Sequence, residues 1–106
     1  MQPTRIQLRR TKDWRMPPNT IKIDRTTKWG NPFKIGAIQP HPLTSRPILV
    51  ADLATALSLH RAYLLRGKGR AIAKAAAHEL RSKNLACWCK PGGPCHGDLL
   101  LKIANR

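Results

Sequence analysis

Three cysteines and a histidine crowd together near the end of the chain: Cys87, Cys89, Cys95 and His96. An odd number of cysteines so close in sequence makes a poor disulfide framework. The opening residues MQPTRIQLRR carry no apolar run of a secretory kind. Reduced thiols in a cytoplasmic setting are therefore the expectation. Three chemistries compete for the cluster. Zinc takes four Cys or His ligands in a closed tetrahedral site, and Cys87, Cys89, Cys95 and His96 supply that number. Adjacent residues at a helix start diverge by about 100°, so a site using both Cys95 and His96 needs backbone distortion. A reactive thiol is the second reading. Pro94 suits a first helical turn, which places Cys95 where unpaired N–H groups and the helix dipole favour a thiolate. His96 beside it supplies an acid–base partner, Lys90 adds positive charge, and Asp98 complements the dipole or orients a hydroxyl. Cys95, His96 and Asp98 are thus the candidate catalytic residues. The third reading is packing: Cys is a small hydrophobe, and Cys87 on a central strand belongs in the core. No cofactor is expected, with zinc as the alternative.

A second constellation runs from Asp24 to Phe33, Asp-Arg-Thr-Thr-Lys-Trp-Gly-Asn-Pro-Phe. Arg25 and Lys28 suit phosphate, Arg25 bidentately. Gly30 permits close backbone approach, Trp29 or Phe33 can stack on a base, and Asn31 can read a base edge or orient a sugar hydroxyl. Asp24 completes the candidate ligand-binding set. The competing reading is a turn in which Asn-Pro directs the chain and Trp29 plugs the core. His60 and His78 fall within predicted helices and read as surface or packing residues.

The elements that must position these groups follow from periodicity. Thr4–Arg9 and Thr20–Asp24 alternate apolar and polar residues and predict strands. Gly36–Pro47 contains Pro40, Pro42 and Pro47 and predicts an exposed loop. Leu49–Leu65 predicts a helix stopped by Gly67, and Arg70–Lys83 predicts a second. Asn84–Cys89 predicts a short buried strand, residues 90–93 a turn, and the residues after Pro94 a final helix with His96, Leu99, Leu100 and Ile103 on one face. The order β-β-α-α-β-α implies a single α/β domain, a Rossmann-like sheet of about three strands with helices. Both unusual segments follow predicted strands, where ligands of open α/β sheets bind.

The 106 residues bound what such a domain can be. Twenty Lys and Arg against five Asp and Glu give a net charge of +15. A hydrophobic share of 42% excludes a disordered basic tail. No apolar run reaches the roughly 20 residues of a membrane span. The charge implies a polyanionic partner, a nucleotide or nucleic acid, against the alternative of a general solubility charge. A thin core is compatible with a dimer, but no pattern demonstrates one.

The two segments together resemble domain-of-unknown-function family 4326, a set of small bacterial and phage proteins. The residues that carry the likeness are Arg25, Lys28-Trp29-Gly30-Asn31-Pro32-Phe33, Leu85-Ala86-Cys87-Trp88-Cys89 and Cys95-His96-Gly97-Asp98. A middle helix with Arg61 and Tyr63 fits as well, so the likeness covers about residues 20–105. It implies a bacterial cell or phage-infected host. The family often has Gly before the Arg, where this chain has Asp24. A looser similarity to uncharacterised family 488 shares Cys87 and Cys95-His96 but omits Cys89, which weakens a four-ligand zinc site. The resemblance implies a fold and a site but no reaction. The expected function is binding, and processing, of a nucleotide, nucleoside or nucleic-acid phosphate in a pocket formed by residues 24–33 and 87–98. The alternatives are a non-catalytic nucleic-acid-binding module and a small zinc-stabilised module.

Overall fold

The computed structural model describes residues 3–90 and 92–105; Pro91, within the expected turn at 90–93, and the chain's first two and last residues lie outside them. Three short strands, β1 (Arg5–Gln7), β2 (Thr20–Lys22) and β5 (Asn84–Cys87), form a parallel sheet in the order β1-β5-β2. Ile6 pairs with Ala86 and Ile21 with Leu85. The ladder runs on through Leu8 N–H to Cys87 O (2.7 Å) and Ile23 N–H to Ala86 O (2.8 Å). The central strand β5 is the most buried, as its apolar Leu85-Ala86-Cys87 run requires. Because all three strands run the same way, residues 23–24 and 87–88 leave the sheet at one edge.

The helices are α1 (Leu53–Arg66), α2 (Arg70–Glu79) and α3 (His96–Ala104). Ile23, Trp29, Leu64, Leu80, Leu85 and Leu100 form the main core between sheet and helices. Phe33, Val50, Ala56 and Leu59 form a smaller one. The Tyr63 ring packs against both, meeting Phe33 edge-on at 6.0 Å.

The α/β class and the three-stranded sheet follow the sequence reading; four details do not. The predicted loop at 36–47 holds a hairpin, β3 (Ile38–Pro40) with β4 (Pro47–Leu49). Its prolines close β3 and open β4, positions where a missing N–H costs no ladder bond. The full order is therefore β-β-β-β-α-α-β-α. Helix α1 starts at Leu53 rather than Leu49, because Asp52 caps it through Thr55 N–H (2.8 Å). Helix α2 ends before residue 83, where Ser82 takes a left-handed φ of 63°, tied by Asn105 Oδ1 and Asn19 Nδ2. Finally, β5 stops at Cys87, and Trp88 and Cys89 bend away.

Candidate functional site

Cys95 is the N-cap of α3, not a residue of its first turn. Its extended backbone (φ −157°) turns the side chain back over the helix end, so the 100° divergence expected between Cys95 and His96 does not apply. The Cys95 sulfur accepts from Gly97 N–H at 3.4 Å and lies 3.2 Å from Cys87 Sγ. His96 donates Nε2–H to Ile23 O at 2.7 Å, where β2 leaves the sheet, and this bond directs Nδ1 toward Cys95 Sγ at 3.7 Å. The hydrogen bond from Cys87 above all holds the Cys95 thiol down to about 3; burial opposes it, and His96, Cys89 and Gly97 N–H reinforce it. Burial works against a charged His96, but its bonds to Cys95 and Ile23 O raise its pKa. The Cys87 thiol is pushed up by its bond to Cys95 and by burial. Cys89 is pushed up to about 11, by burial first and then by Cys95. The cluster is thus one acidic thiol facing an imidazole whose protonated form is favoured, beside two thiols held toward the neutral form.

Arg5 underlies this pair. Its guanidinium donates to Gly93 O (2.8 Å) and Lys90 O (3.4 Å) and pairs with Asp98 through Nε at 3.2 Å. Burial disfavours its charge, but its interaction with Cys95, ahead of Asp98 and Cys87, raises its pKa. Arg5 therefore fixes both the loop before Cys95 and the first turn of α3. Gly97 allows this: a Cβ there would stand 3.0 Å from Ile23 Cδ1 and 3.2 Å from Arg5 Cδ.

The second segment is a turn that closes on itself. The buried Asp24 carboxylate accepts from Thr26 N–H and from the Trp88 indole N–H, both at 3.1 Å, and faces Lys22 Nζ at 3.5 Å. Burial opposes its ionisation, but the Thr26 bonds, followed by Trp88 and Lys22, hold its pKa below the usual carboxylate range. Asp24 is an ionised anchor here. Arg25 Nη2 donates to Phe33 O (3.1 Å) across the turn. Asn31 donates Nδ2 to Ala56 O (3.1 Å) and accepts Phe33 N–H (2.9 Å), clipping the turn to α1. The close approach at Gly30 is to its own chain, since a Cβ would stand 2.6 Å from Arg25 Cα. Trp29 is 5% exposed in the main core. Lys28 Nζ lies 4.6 Å above its ring and 2.9 Å from Glu79.

Three clefts meet around these residues. One of about 370 Å³ holds Arg25, Lys28, Gly30, Asn31 and His60. A second, about 340 Å³, holds Cys95, His96 and Asp98 with Arg61, Lys102 and again His60. The third, about 360 Å³, joins them, lined by Asp24, Arg25, Asn31, Trp88, Cys95 and His96. Arg25, Asn31 and His96 therefore line one cavity. Lys90 is exposed, and its carbonyl rather than its charge meets the site, accepting from Arg5. The three cysteine sulfurs lie within 4.8 Å of one another, a grouping that could hold a metal ion, and His96 stands outside it.

Three residues of the site escaped the sequence reading. His60, expected on a surface or in packing, is 2% exposed, and its ring lies 5.7 Å from that of His96. Its Nδ1 is buried with no hydrogen-bond partner among the described residues. Burial first, then the His96 charge, lowers its pKa to about 4. The four-residue spacing Ala56, His60, Leu64 already placed it on the inner face of α1. Arg5 alternates with Ile6, which signals no inward role. Trp88, next to the cysteines, is the exposed tryptophan of the cavity.

Among the described residues, no helix is long and apolar enough to cross a membrane. The family model described as domain of unknown function (DUF4326) matches residues 6–106, so the likeness read from the two motifs also takes in most of β1. An uncharacterized 12.4 kDa protein in the nrdA-td intergenic region of Enterobacteria phage T4 is 46% identical over 44 residues. That stretch is 42% of this chain and spans 40% of the relative's length. No solved structure matches the chain.

Proposed function

The chain belongs to the DUF4326 family, and on that premise we propose that it binds and processes a nucleotide, nucleoside or nucleic-acid phosphate where residues 24–33 meet residues 87–98. One observation carries the reading: Arg25 and Asn31 line the same cavity as the Cys95–His96 pair. Arg25 and Lys28 supply cationic donors in one cleft, and Arg61 and Lys102 in the cleft that also holds Cys95. The Cys95 thiol is more acidic than burial alone would leave it. Its bond to Cys87, the imidazolium and the Gly97 N–H together make it a nucleophile. In this reading Cys95 Sγ displaces a leaving group at a glycosidic carbon or a phosphorus. The leaving atom takes the proton from His96 Nδ1. Water then replaces sulfur, returning one proton to His96 as the thiolate leaves. Asp98, paired with Arg5, positions the helix start rather than transferring a proton.

Nuclear magnetic resonance titration with a nucleoside 5′-monophosphate tests the binding. The amides of residues 25–31 and 96–98 should shift together at millimolar ligand. No shifts, or shifts confined to another face, would sink the reading. Cys95→Ser and His96→Ala should abolish turnover with the fold intact.

The sulfur grouping favours a second reading. Thiolates of Cys87, Cys89 and Cys95 would hold a soft divalent ion such as zinc and leave one position open. Metal analysis of protein purified without added zinc separates the two. Stoichiometric metal, lost in Cys89→Ser, supports the ion; metal-free protein with a reactive Cys95 supports the thiolate.

A further inference from the structure

The cavity that joins the two segments has an apolar half that phosphate chemistry leaves unused. Ile35, Leu53 and Trp88 are large apolar side chains at its rim, and each is more than 40% exposed. Ala56 and Leu57 continue the same wall inward. Trp88 is the unusual member. An exposed tryptophan ordinarily gains orientational freedom, yet this indole is pinned by its N–H to the buried, ionised Asp24 at 3.1 Å. Asp24 is in turn held by Thr26 and Lys22. Arg10, which does not line the cavity, lies 4.7 Å from the Trp88 ring centroid. The ring is thus anchored at its N–H, has a cation over one face, is 42% exposed and lines the cavity. A flat apolar surface held rigid and left uncovered is what a planar aromatic ligand needs, because little side-chain entropy is lost when it docks.

We infer that Trp88 is the stacking wall for the base of the ligand, so that the substrate class is a nucleoside or nucleotide rather than a bare phosphate or sugar phosphate. This rests on the function proposed above and corrects one of its expected parts. Trp29 and Phe33, the sequence candidates for stacking, are both buried, Trp29 under Lys28. Trp88 takes that role one strand away. The cavity volume, about 360 Å³, falls within the roughly 300–1,000 Å³ of small-molecule sites. Its lining carries what each part of such a ligand needs: Trp88, Ile35 and Leu53 for the base, Arg25 for the phosphate, and Cys95 and His96 for the bond between base and sugar or the phosphate itself. The chemistry of the site names a base-bearing ligand without selecting which base, since every base offers a π-face.

Calorimetric titration of the full chain with four probes tests this: adenosine 5′-monophosphate, adenosine, ribose 5-phosphate and inorganic phosphate. The mononucleotide should bind about fivefold to a hundredfold more tightly than ribose 5-phosphate, since base–aromatic stacking is worth about 1–3 kcal/mol. Trp88→Leu should remove most of that advantage and leave ribose 5-phosphate unaffected. Trp88→Phe should keep it within about threefold, which separates loss of an aromatic face from loss of the fold. If the mononucleotide and ribose 5-phosphate bind equally, or Trp88→Leu changes neither, the stacking role is overturned while phosphate binding stands. If adenosine binds and ribose 5-phosphate does not, the stacking role is supported and the phosphate part of the function falls. If none of the four binds, both fall.

Discussion

Cys95 differs from Cys87 and Cys89 in what surrounds its sulfur, not in sequence type. It caps a helix, accepts from Gly97 N–H, and faces His96 and the Cys87 thiol. Its pKa is held down to about 3 while that of Cys89 is pushed up to about 11, so Cys95 is the thiol of the two that ionises first. Iodoacetamide at pH 6 should therefore modify Cys95 first, read by peptide mass spectrometry. His96→Ala should slow that reaction about tenfold or more by removing the imidazole that faces the Cys95 sulfur. Equal labelling of the three cysteines would show that no thiolate is singled out. Gly30 is the other residue-scale test. A methyl there meets backbone, Arg25 Cα at 2.6 Å and Asp24 O at 2.7 Å, which cannot swing aside as a side chain would. Gly30→Ala should cost about 1–3 kcal/mol in denaturant unfolding and weaken ligand binding, because it displaces Arg25. The sequence made Gly30 a site of close approach, but the approach is by its own chain.

At the scale of elements, the site is two strand ends and one helix start held by polar clips. Asn31 joins the 24–33 turn to α1 through Ala56 O and Phe33 N–H, both buried. Asn31→Ala strands these two backbone groups, so a loss of about 2–3 kcal/mol is expected. Thermal unfolding would show this as a fall of about 10 °C or more. A change confined to ligand affinity, with unfolding untouched, would return Asn31 to the role of a ligand contact. The hairpin and the start of α1 show why element boundaries were less legible than element types. Leu49 and Val50 satisfy the helical spacing of Leu53 and Leu57, so periodicity ran the helix back through them. The Asp52 cap, and the pairing of Ile38 with Leu49, decided otherwise. Pro40 and Pro47 signalled a loop because a proline lacks an N–H, and they stand at strand ends for the same reason.

For the molecule as a whole, burial of His60 carries a pH dependence. Its folded pKa of about 4 lies below the unfolded value of 6.5, so the unfolded chain takes up the proton first as pH falls. Its contribution is complete above pH 6.5 and is lost as pH drops toward 4, amounting to about 3 kcal/mol. His60→Gln should flatten that acid limb relative to the parent in urea melts across this range. Parallel curves would place the proton elsewhere. Four of the twenty Lys and Arg residues border the site. Arg25 and Lys28 border one cleft, and Arg61 and Lys102 another, whereas Lys90 stands outside. Nucleotide affinity should fall severalfold from about 50 to about 300 mM salt, as screening shortens the reach of these charges. A flat salt profile would confine the charge to solubility.

The amino-acid pattern by itself determined the α/β class, the sheet strands, the two chemical segments and the family they mark. Those features rest on local periodicity and on residue types a few positions apart, and such signals survive without coordinates. Which tryptophan is buried, which histidine is neutral, and which cysteine is ionised were decided only by tertiary structure. Each depends on groups distant along the chain: Arg5 and Ile23 beside residues 95–98, Asp24 beside Trp88, and His60 beside His96. Burial and charge act through space, and a parallel sheet brings together strand ends that lie some sixty residues apart in sequence.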